Sequence, residues 1–249
     1  MIPKKKWGQN FLRNKAAVEK IVAAIDPQPG EVIVEIGPGE GVLTEHLVKL
    51  GNELAAIEID PELATRLRQR FGNIIINDDA LEAPLPARPF RAVGNLPYNA
   101  GTPILRRVIA DAHFRRAVFM LQKEVADRLV AKPGDEQYGF LTLYRQLYAT
   151  ARILMTLEPG SFYPRPKVRS AVVVLDGERK PYASDDLIEL ISAAFRMRRK
   201  KLVNNLTTLY ARDAVLTAMR EAGVDEGARA EELPLDAFAR MAAHFRRPT

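Results

Sequence analysis

Residues 93–99 (VGNLPYN) combine side chains and a backbone shape that suit a flat, uncharged, hydrogen-bonding group such as a nucleobase. Asn95 supplies an amide and Tyr98 an aromatic ring, and the apolar run before them predicts a strand that ends near Asn95. Pro97 favours an extended Leu96 and lacks a backbone N–H, which leaves the Leu96 carbonyl to accept a hydrogen bond from a ligand. The alternative is a proline-bearing turn between a strand and a helix, and these residues alone leave both interpretations open.

A glycine-rich loop lies earlier in the chain. Residues 32–36 predict a buried strand and residues 42–50 predict a helix, with the loop between them. The glycines of this loop are Gly37, Gly39 and Gly41. This order is typical of nucleotide binding, because glycines let a ligand approach the backbone and a helix N-terminus offers unpaired N–H donors. Val42 occupies the place of the third glycine in the dinucleotide fingerprint, which argues against NAD.

Acidic residues follow the next two predicted strands. The strand over 54–59 carries Glu58, which is placed to accept hydrogen bonds from both hydroxyls of a ribose. Asp60 precedes a proline at the start of a helical pattern and is expected to cap that helix. The third strand leads into Asp78 and Asp79, and either carboxylate could accept a hydrogen bond from an exocyclic amine. The residues alone do not separate these two aspartates.

Two further segments have two interpretations each. The segment 8–12 (GQNFL) is either an arm that packs Phe11 and Leu12 on the protein body, or an arm whose amides close over a ligand. Residues 161–169 (SFYPRPKVR) join two strands of a predicted hairpin and contain two prolines, which hold them extended. They form either a stiff loop or a rigid segment that presents the Phe162 ring to a ligand. The cations available there for phosphates are Arg165, Lys167 and Arg169.

A basic cluster lies in the C-terminal part of the chain, where residues 196–201 (RMRRKK) hold five cations. Helical apolar patterns flank the cluster on both sides. It is therefore a candidate surface for a nucleic-acid backbone, and the alternative is a solvated charged face.

Strand and helix patterns alternate up to about residue 180, after which only helical patterns remain. This predicts an α/β domain over 1–180 with a Rossmann-like sheet and a small all-helical domain over 181–249. The net charge of +6 and a pI near 9.5 favour an acidic partner, nucleic acid first. The chain has no cysteine and three isolated histidines, so neither disulfides nor a metal site are expected. No apolar run could cross a bilayer and the basic N-terminus lacks a signal-peptide core, so we expect a cytoplasmic protein.

The order of these motifs resembles that of S-adenosylmethionine-dependent rRNA adenine N6-dimethyltransferases, over about residues 5–210. The matching motifs are GQNFL (8–12), EIGPGEG (35–41), EID (58–60), DA (79–80), NLPY (95–98) and FYPRPKV (162–168). Many methyltransferases share the glycine loop, whereas NLPY together with FYPRPKV is specific to this family. The resemblance implies a class I methyltransferase fold with S-adenosylmethionine as cofactor.

The resemblance also implies residue roles. The cofactor would be held by Gln9, Asn10, Leu12, Gly37, Gly39, Gly41, Glu58, Ile59, Asp79, Ala80 and Asn95. Asp79 is chosen over Asp78 because Ala80 and Leu81 follow it. Asn95 and the Leu96 carbonyl would accept hydrogen bonds from the target N6, with Tyr98 and Phe162 stacked on the two faces of the target adenine. RNA would be bound by Arg165, Lys167, Arg169, Arg198, Arg199, Lys200 and Lys201.

Residues 198–206 (RRKKLVNNL) resemble the C-terminal domain of the family branch that dimethylates two adjacent adenosines near the 3′ end of small-subunit rRNA. The resemblance therefore implies a monomeric enzyme acting on a pre-ribosomal small subunit during its maturation. Two alternatives stay open. One is an Erm-type methyltransferase of large-subunit 23S rRNA, and the other is an RNA-binding assembly factor whose methylation is secondary.

Overall fold

A computed structural model describes residues 9–245 of the chain, which form two compact units. The first unit consists of residues up to Ala126 together with Ala149–Gly177. Its strands are β1 (Phe11–Leu12), β2 (Val32–Ile36), β3 (Glu53–Glu58), β4 (Ile75–Asn77), β5 (Phe90–Asn95), β6 (Phe114–Gln122), β7 (Ala149–Leu157), β8 (Phe162–Tyr163) and β9 (Ser170–Gly177). Its helices are α1 (Lys15–Ile25), α2 (Thr44–Leu47), α3 (Pro61–Phe71), α4 (Gly101–Ala110) and α5 (Lys123–Val130), of which α5 continues into the second unit.

Seven strands form one sheet in the order β4-β3-β2-β5-β6-β9-β7. The first five are parallel, and β9 runs antiparallel to both β6 and β7. The predicted α/β fold is confirmed, and so is the antiparallel hairpin at the sheet edge. Parallel strands bring their carboxyl ends to one edge, so the residues that follow β2, β3, β4 and β5 meet there.

Local differences from the predicted elements are small. The helix expected over 42–50 is the short α2 followed by a 3-10 turn, Val48–Leu50, and it ends at Gly51 with φ 78°. β3 ends at Glu58, one residue earlier than predicted. All five residues of β2 are buried, as expected for a central parallel strand covered on both faces.

The second unit consists of Asp127–Tyr148 and the residues from Glu178 onward. Its further helices are α6 (Phe140–Tyr148), α7 (Asp185–Ala194), α8 (Leu202–Leu206), α9 (Arg212–Glu221) and α10 (Leu235–Ala242), with a 3-10 turn at Ala230–Glu232. Helix α10 packs against α7 and α9, and the rings of Phe195 and Phe238 lie 6.1 Å apart. Within residues 9–245, no helix has the length and apolar character needed to cross a membrane.

The boundary expected at residue 180 omits one segment of the second unit, because residues 127–148 group with the C-terminal helices. The Tyr138 hydroxyl donates a hydrogen bond to the Leu233 carbonyl at 2.8 Å, and the Tyr138 ring meets Phe195 edge-on at 6.2 Å. Helix α6 packs against α7. These contacts join residues far apart in sequence, so no local pattern could reveal them.

Candidate active site

Two adjoining clefts, of about 520 and 680 Å³, lie at the carboxyl edge of the parallel strands and share Gly37, Ile59 and Pro97 in their linings. Of the predicted site residues, the first cleft is also lined by Gln9, Asn10, Gly39, Glu58, Asn95, Leu96 and Tyr98. The second is also lined by Asp78, Asp79 and Ala80. Five motifs that are separate in the sequence thus meet along one continuous depression.

Two glycines of the loop after β2 are required by its backbone. Gly37 has φ 66° and Gly39 has φ 61°, in the left-handed region that other residues rarely adopt. A Cβ atom on Gly39 would lie 3.0 Å from the ring of Phe11. Both glycines border the first cleft, so a ligand there can approach the backbone closely.

Gly41 has a packing role that the loop pattern does not show. It lines neither of the two clefts, and a Cβ atom on it would lie 2.9 Å from both Leu67 and Phe71. Gly41 therefore allows close packing of the loop against α3. Its expected place along the cofactor path stays a prediction.

Glu58 at the end of β3 lines the first cleft and binds the backbone of the glycine loop. One carboxylate oxygen accepts from the Gly39 N–H at 3.0 Å, and the other accepts from the Asp60 N–H at 2.9 Å. Burial raises the pKa of Glu58, and these two backbone donors act against that rise. Each carboxylate oxygen has a second lone pair, so Glu58 can also accept two ribose hydroxyls.

Asp60 has the capping role predicted for it. Its Oδ1 accepts from the Glu62 N–H at 3.1 Å at the start of α3. Its Oδ2 accepts from the Gln9 side-chain amide at 3.0 Å. This second bond ties the N-terminal arm to the sheet edge.

The arm is also tied to the residue proposed to contact the target base. The Asn95 Nδ2 donates to the Asn10 carbonyl at 2.5 Å. This bond fixes the orientation of the amide and leaves its Oδ1 as the acceptor at the first cleft. The Leu96 N–H continues the sheet by donating to the Met120 carbonyl at 3.1 Å.

Tyr98 is half-buried, and its hydroxyl lies 2.8 Å from the hydroxyl of Ser170. Burial raises the pKa of Tyr98. Ser170 is buried at the start of β9. The ring borders the first cleft while its hydroxyl is anchored to the sheet.

Phe162 lies elsewhere than the resemblance implies, and Leu12 is its pairing partner. They are register partners in the two-stranded sheet of β1 and β8, and they are only 3% and 5% exposed. Both side chains belong to the hydrophobic core with Ile21 and Met120. Neither lines the two clefts. Leu12 does line a smaller adjoining cavity of about 340 Å³ with Asn10 and Asn95, so its role as a cofactor residue stays a prediction. The second stacking face expected from Phe162 is therefore not presented, because its strand turns that ring toward the core.

The aspartates after β4 both border the second cleft. The Asp78 Oδ1 accepts from the Asp79 N–H at 2.8 Å, so the two carboxylates belong to one turn. Arg107 on α4 holds this turn by donating to the Ala80 carbonyl at 3.0 Å. No sequence motif singled out Arg107, because its partner lies on a different element.

Glu35 is a buried acid for which the sequence motifs imply no role. It lies within β2, is 1% exposed, and its carboxylate accepts from the Thr44 hydroxyl at 2.7 Å. Burial raises the pKa of Glu35 to about 8, and the nearby charge of Glu58 adds to the rise. The sequence feature that could have identified Glu35 is an acidic residue inside an otherwise apolar strand (VIVEI).

The two basic segments are exposed. This holds for Arg165, Lys167 and Arg169, and for all residues of 196–201. In the second unit, the buried Asn205 supports the latter segment by donating to the Ala194 carbonyl at 2.6 Å and the Met197 carbonyl at 3.1 Å. In the described chain, 9–245, there is no cluster of three or more potential metal ligands.

The sequence profile of the family described as ribosomal RNA adenine dimethylase matches residues 3–247. The chain is 44% identical to ribosomal RNA small subunit methyltransferase A of Methylococcus capsulatus, with 94% of each chain covered. It is 41% identical to the protein of the same name from Hahella chejuensis, with 96% of this chain and 91% of that relative covered.

Two solved structures resemble the fold. The 23S rRNA methyltransferase ErmE superposes with a TM-score of 0.72 at 26% identity, covering 94% of this chain and 99% of ErmE. A dimethyladenosine transferase from Plasmodium falciparum superposes with a TM-score of 0.81 at 23% identity, covering 93% and 95% of the two chains. Because the profile and the relatives match nearly the whole length, the chain belongs to the ribosomal RNA adenine dimethylase family.

Proposed function

We propose that this protein transfers methyl groups from S-adenosylmethionine to N6 of two adjacent adenosines near the 3′ end of small-subunit (16S) rRNA. Family membership supports the reaction, and the relatives named for the small subunit support the choice of RNA. The observation that carries the proposal is the pair of adjoining clefts. One of them brings together Asn95, Leu96 and Tyr98, and the other is bordered by Asp78 and Asp79.

The residues present fit the cofactor. Glu58 and the close backbone approach at Gly37 and Gly39 suit the ribose and the methionine part. Ala80 and an adjacent carboxylate in the second cleft suit an adenine ring with its exocyclic amine. When bound, S-adenosylmethionine supplies a methyl group on a positively charged sulfur, which makes that methyl carbon electrophilic.

The protein has to align the target amine rather than to create a strong base. The adenine N6 lone pair is delocalised into the ring and is a poor nucleophile. Hydrogen bonds accepted by the Asn95 Oδ1 and the Leu96 carbonyl favour a pyramidal N6 and direct its lone pair. Alignment of this kind contributes about 7–11 kcal/mol in well-oriented systems.

The target adenine must leave its stack to enter the first cleft. Stacking on one aromatic ring contributes about 1–3 kcal/mol per base, which offsets part of that cost. Tyr98 offers this ring, and its bond to Ser170 keeps the ring at the cleft.

The rest of the RNA is proposed to contact the basic segments. Arg165, Lys167 and Arg169 would bind phosphates beside the first unit, and the helical second unit would bind RNA through Arg198, Arg199, Lys200 and Lys201. We place a monomer of the enzyme on a maturing small subunit, in the cytoplasm where that particle is assembled.

The decisive experiment uses labelled S-adenosylmethionine, the purified protein and small ribosomal subunits that lack the modification. We expect two methyl groups on each of two adjacent adenosines, located by mapping the labelled nucleotides. Unmodified large subunits are the control, and label in their 23S rRNA would instead support the Erm-type alternative. A cell carrying an Asn95→Ala protein tests the assembly-factor alternative. If small-subunit assembly fails only when the whole protein is deleted, the binding role dominates.

A further inference from the structure

We propose that Tyr163 is a stacking site for the nucleobase next to the target adenosine in the substrate RNA. The proposal rests on the proposed function, because it takes the target base to enter the cleft beside Asn95. The Tyr163 side chain is 55% exposed, the highest value among the bulky hydrophobic side chains that are exposed in residues 9–245. An aromatic ring so accessible to solvent is available for a partner.

The register of the small sheet determines which aromatic ring is presented. Phe11 pairs with Tyr163, and Leu12 pairs with Phe162. Neighbouring side chains along a strand alternate between two faces, and directly opposed residues share a face. The Leu12–Phe162 pair is in the core, so the Phe11–Tyr163 pair occupies the opposite face. Phe11 on that face lines the first cleft.

Arg13 connects the Tyr163 ring to the glycine loop. The guanidinium carbon of Arg13 lies 5.9 Å from the centroid of the Tyr163 ring, and the same guanidinium pairs with Glu40 at 2.7 Å. Glu40 follows Gly39, which borders the first cleft. The exposed ring therefore stands beside the loop that forms one wall of the cleft.

The exposed cations that follow Tyr163 in the sequence favour RNA as the partner of its ring. Arg165, Lys167 and Arg169 are exposed, and none of the three forms an ion pair with another residue of the described chain. A π-face next to cations that are available for phosphates is the arrangement that single-stranded nucleic acid recognises, since each nucleotide offers one base and one phosphate. Stacking of this kind tolerates any base.

Tyr163 is placed to meet a neighbouring nucleotide and not the target itself. Its ring lines neither of the two clefts, whereas the target base has to enter the first one. A nucleotide that stays outside the cleft while its neighbour is inside must lie along the rim. The Tyr163 ring is linked to the glycine loop through Arg13 and Glu40, and the three cations follow it within six residues of the sequence.

The first test measures steady-state methylation of unmodified small ribosomal subunits by Tyr163→Ala, Tyr163→Leu and Tyr163→Phe proteins. We expect the KM for the particles to rise about tenfold in the Ala and Leu proteins, as for loss of one base stack. The Phe protein keeps the ring and should match wild type, and kcat should stay unchanged in all three. Ile76→Ala, at an exposed apolar residue on β4, is the matched control and should have no effect.

The second test separates stacking from charge. Equilibrium binding of the same particles is measured over a series of salt concentrations. Tyr163→Ala should weaken binding without changing the slope of log affinity against log salt, because a neutral ring releases no counter-ion. Lys167→Ala should lower that slope by about 0.7–0.9, as for one lost phosphate contact.

A Tyr163→Leu protein that behaves as wild type would overturn the stacking site, since leucine keeps apolar volume without a π-face. A fall in kcat with an unchanged KM would also overturn it, because Tyr163 would then act on the chemical step. A wild-type protein that binds the particles without methylating them would contradict the proposed function alone. The binding series would still decide the role of Tyr163 in that case.

Discussion

The hydroxyl groups of Tyr98 and Ser170 lie 2.8 Å apart, although the two residues are 72 positions apart in the sequence. This bond joins the loop after β5 to the first residue of β9. Tyr98 is the aromatic residue that borders the first cleft, so the orientation of its ring depends on a residue that does not line this cleft.

Ser170→Ala should lower kcat/KM for methylation by about three- to tenfold, the range for one hydrogen bond. The same substitution in a Tyr98→Phe background should have no further effect, because the partner hydroxyl is already gone. Additive losses in this double-mutant cycle would show that Ser170 acts by another route. Ser161→Ala, at a half-buried serine whose hydroxyl contacts Asn14, is the control.

Glu58→Gln should raise the dissociation constant for S-adenosylhomocysteine about ten- to a hundredfold, since charged hydrogen bonds to the ribose are lost. Glutamine keeps one acceptor for the backbone of the glycine loop, so folding is preserved better than with alanine. Binding of RNA should stay nearly intact. Calorimetric titration measures the first effect, and Glu53→Gln at the exposed start of the same strand should leave it unchanged. Equal loss of cofactor and RNA binding would refute the ribose assignment.

Asn95→Ala should reduce the single-turnover rate of methyl transfer by roughly 10²–10³, by analogy with loss of one positioned group at a reacting atom. Cofactor affinity should change much less, because Asn95 is one of eleven predicted cofactor residues whereas its amide oxygen is a direct acceptor for the target N6. Asn52→Ala, just before β3, removes an amide at the opposite edge of the sheet and serves as the control. A variant with the wild-type rate would remove Asn95 from the mechanism.

The free energy of unfolding should fall as the pH rises, in part because of Glu35. Its pKa is raised from 4.5 to about 8 by burial, so the folded state holds a proton that the unfolded chain releases. The stability linked to this proton is complete below pH 4.5 and is lost as the pH rises towards 8. Glu35→Gln should melt higher than wild type at pH 8.5, by about 2–4 °C per kcal/mol.

The difference between the Glu35→Gln and wild-type melting temperatures should disappear near pH 4.5, where both side chains are neutral in the folded state. Thermal melts at a series of pH values provide the measurement. Glu53→Gln, an exposed control on the adjacent strand, should show no such trend. A constant difference at all pH values would mean that Glu35 does not titrate in the folded protein.

Replacing Arg199, Lys200 and Lys201 by alanine should lower the salt slope of RNA binding by about two units, since each phosphate contact contributes 0.7–0.9. Arg198 is left in place because its guanidinium also donates to the Glu136 carbonyl within the second unit. Filter binding at several salt concentrations measures the slope. An unchanged slope would mean that the cluster does not contact phosphates and is a solvated charged face.

The parts of the site that could be predicted from the sequence depend on local patterns. Asp60 was predicted as a helix cap because a cap needs only its own residue and the next few. Asn95 was placed at a strand end by the apolar run before it. Gly37 and Gly39 follow from a loop that needs left-handed backbone, which is a local property.

The parts that could not be predicted depend on contacts between distant segments. The side of the small sheet that Phe162 faces is set by pairing with Leu12, 150 positions earlier in the numbering. Gly41 is fixed by the side chains of α3, which the loop pattern does not contain. The residues 127–148 belong to the second unit through contacts with helices at the end of the chain.

Because residues 127–148 belong to the second unit, the two units do not follow one another along the chain, and this affects folding during synthesis. Because domains form as units while the chain leaves the ribosome, the first unit can complete its sheet once Gly177 has emerged. Helix α6 has emerged by then, but the helix α7 on which it packs has not. Helix α6 therefore reaches its native packing only after helix α7 has been synthesised. Translation thus sets the order in which the two units of the enzyme complete their folding.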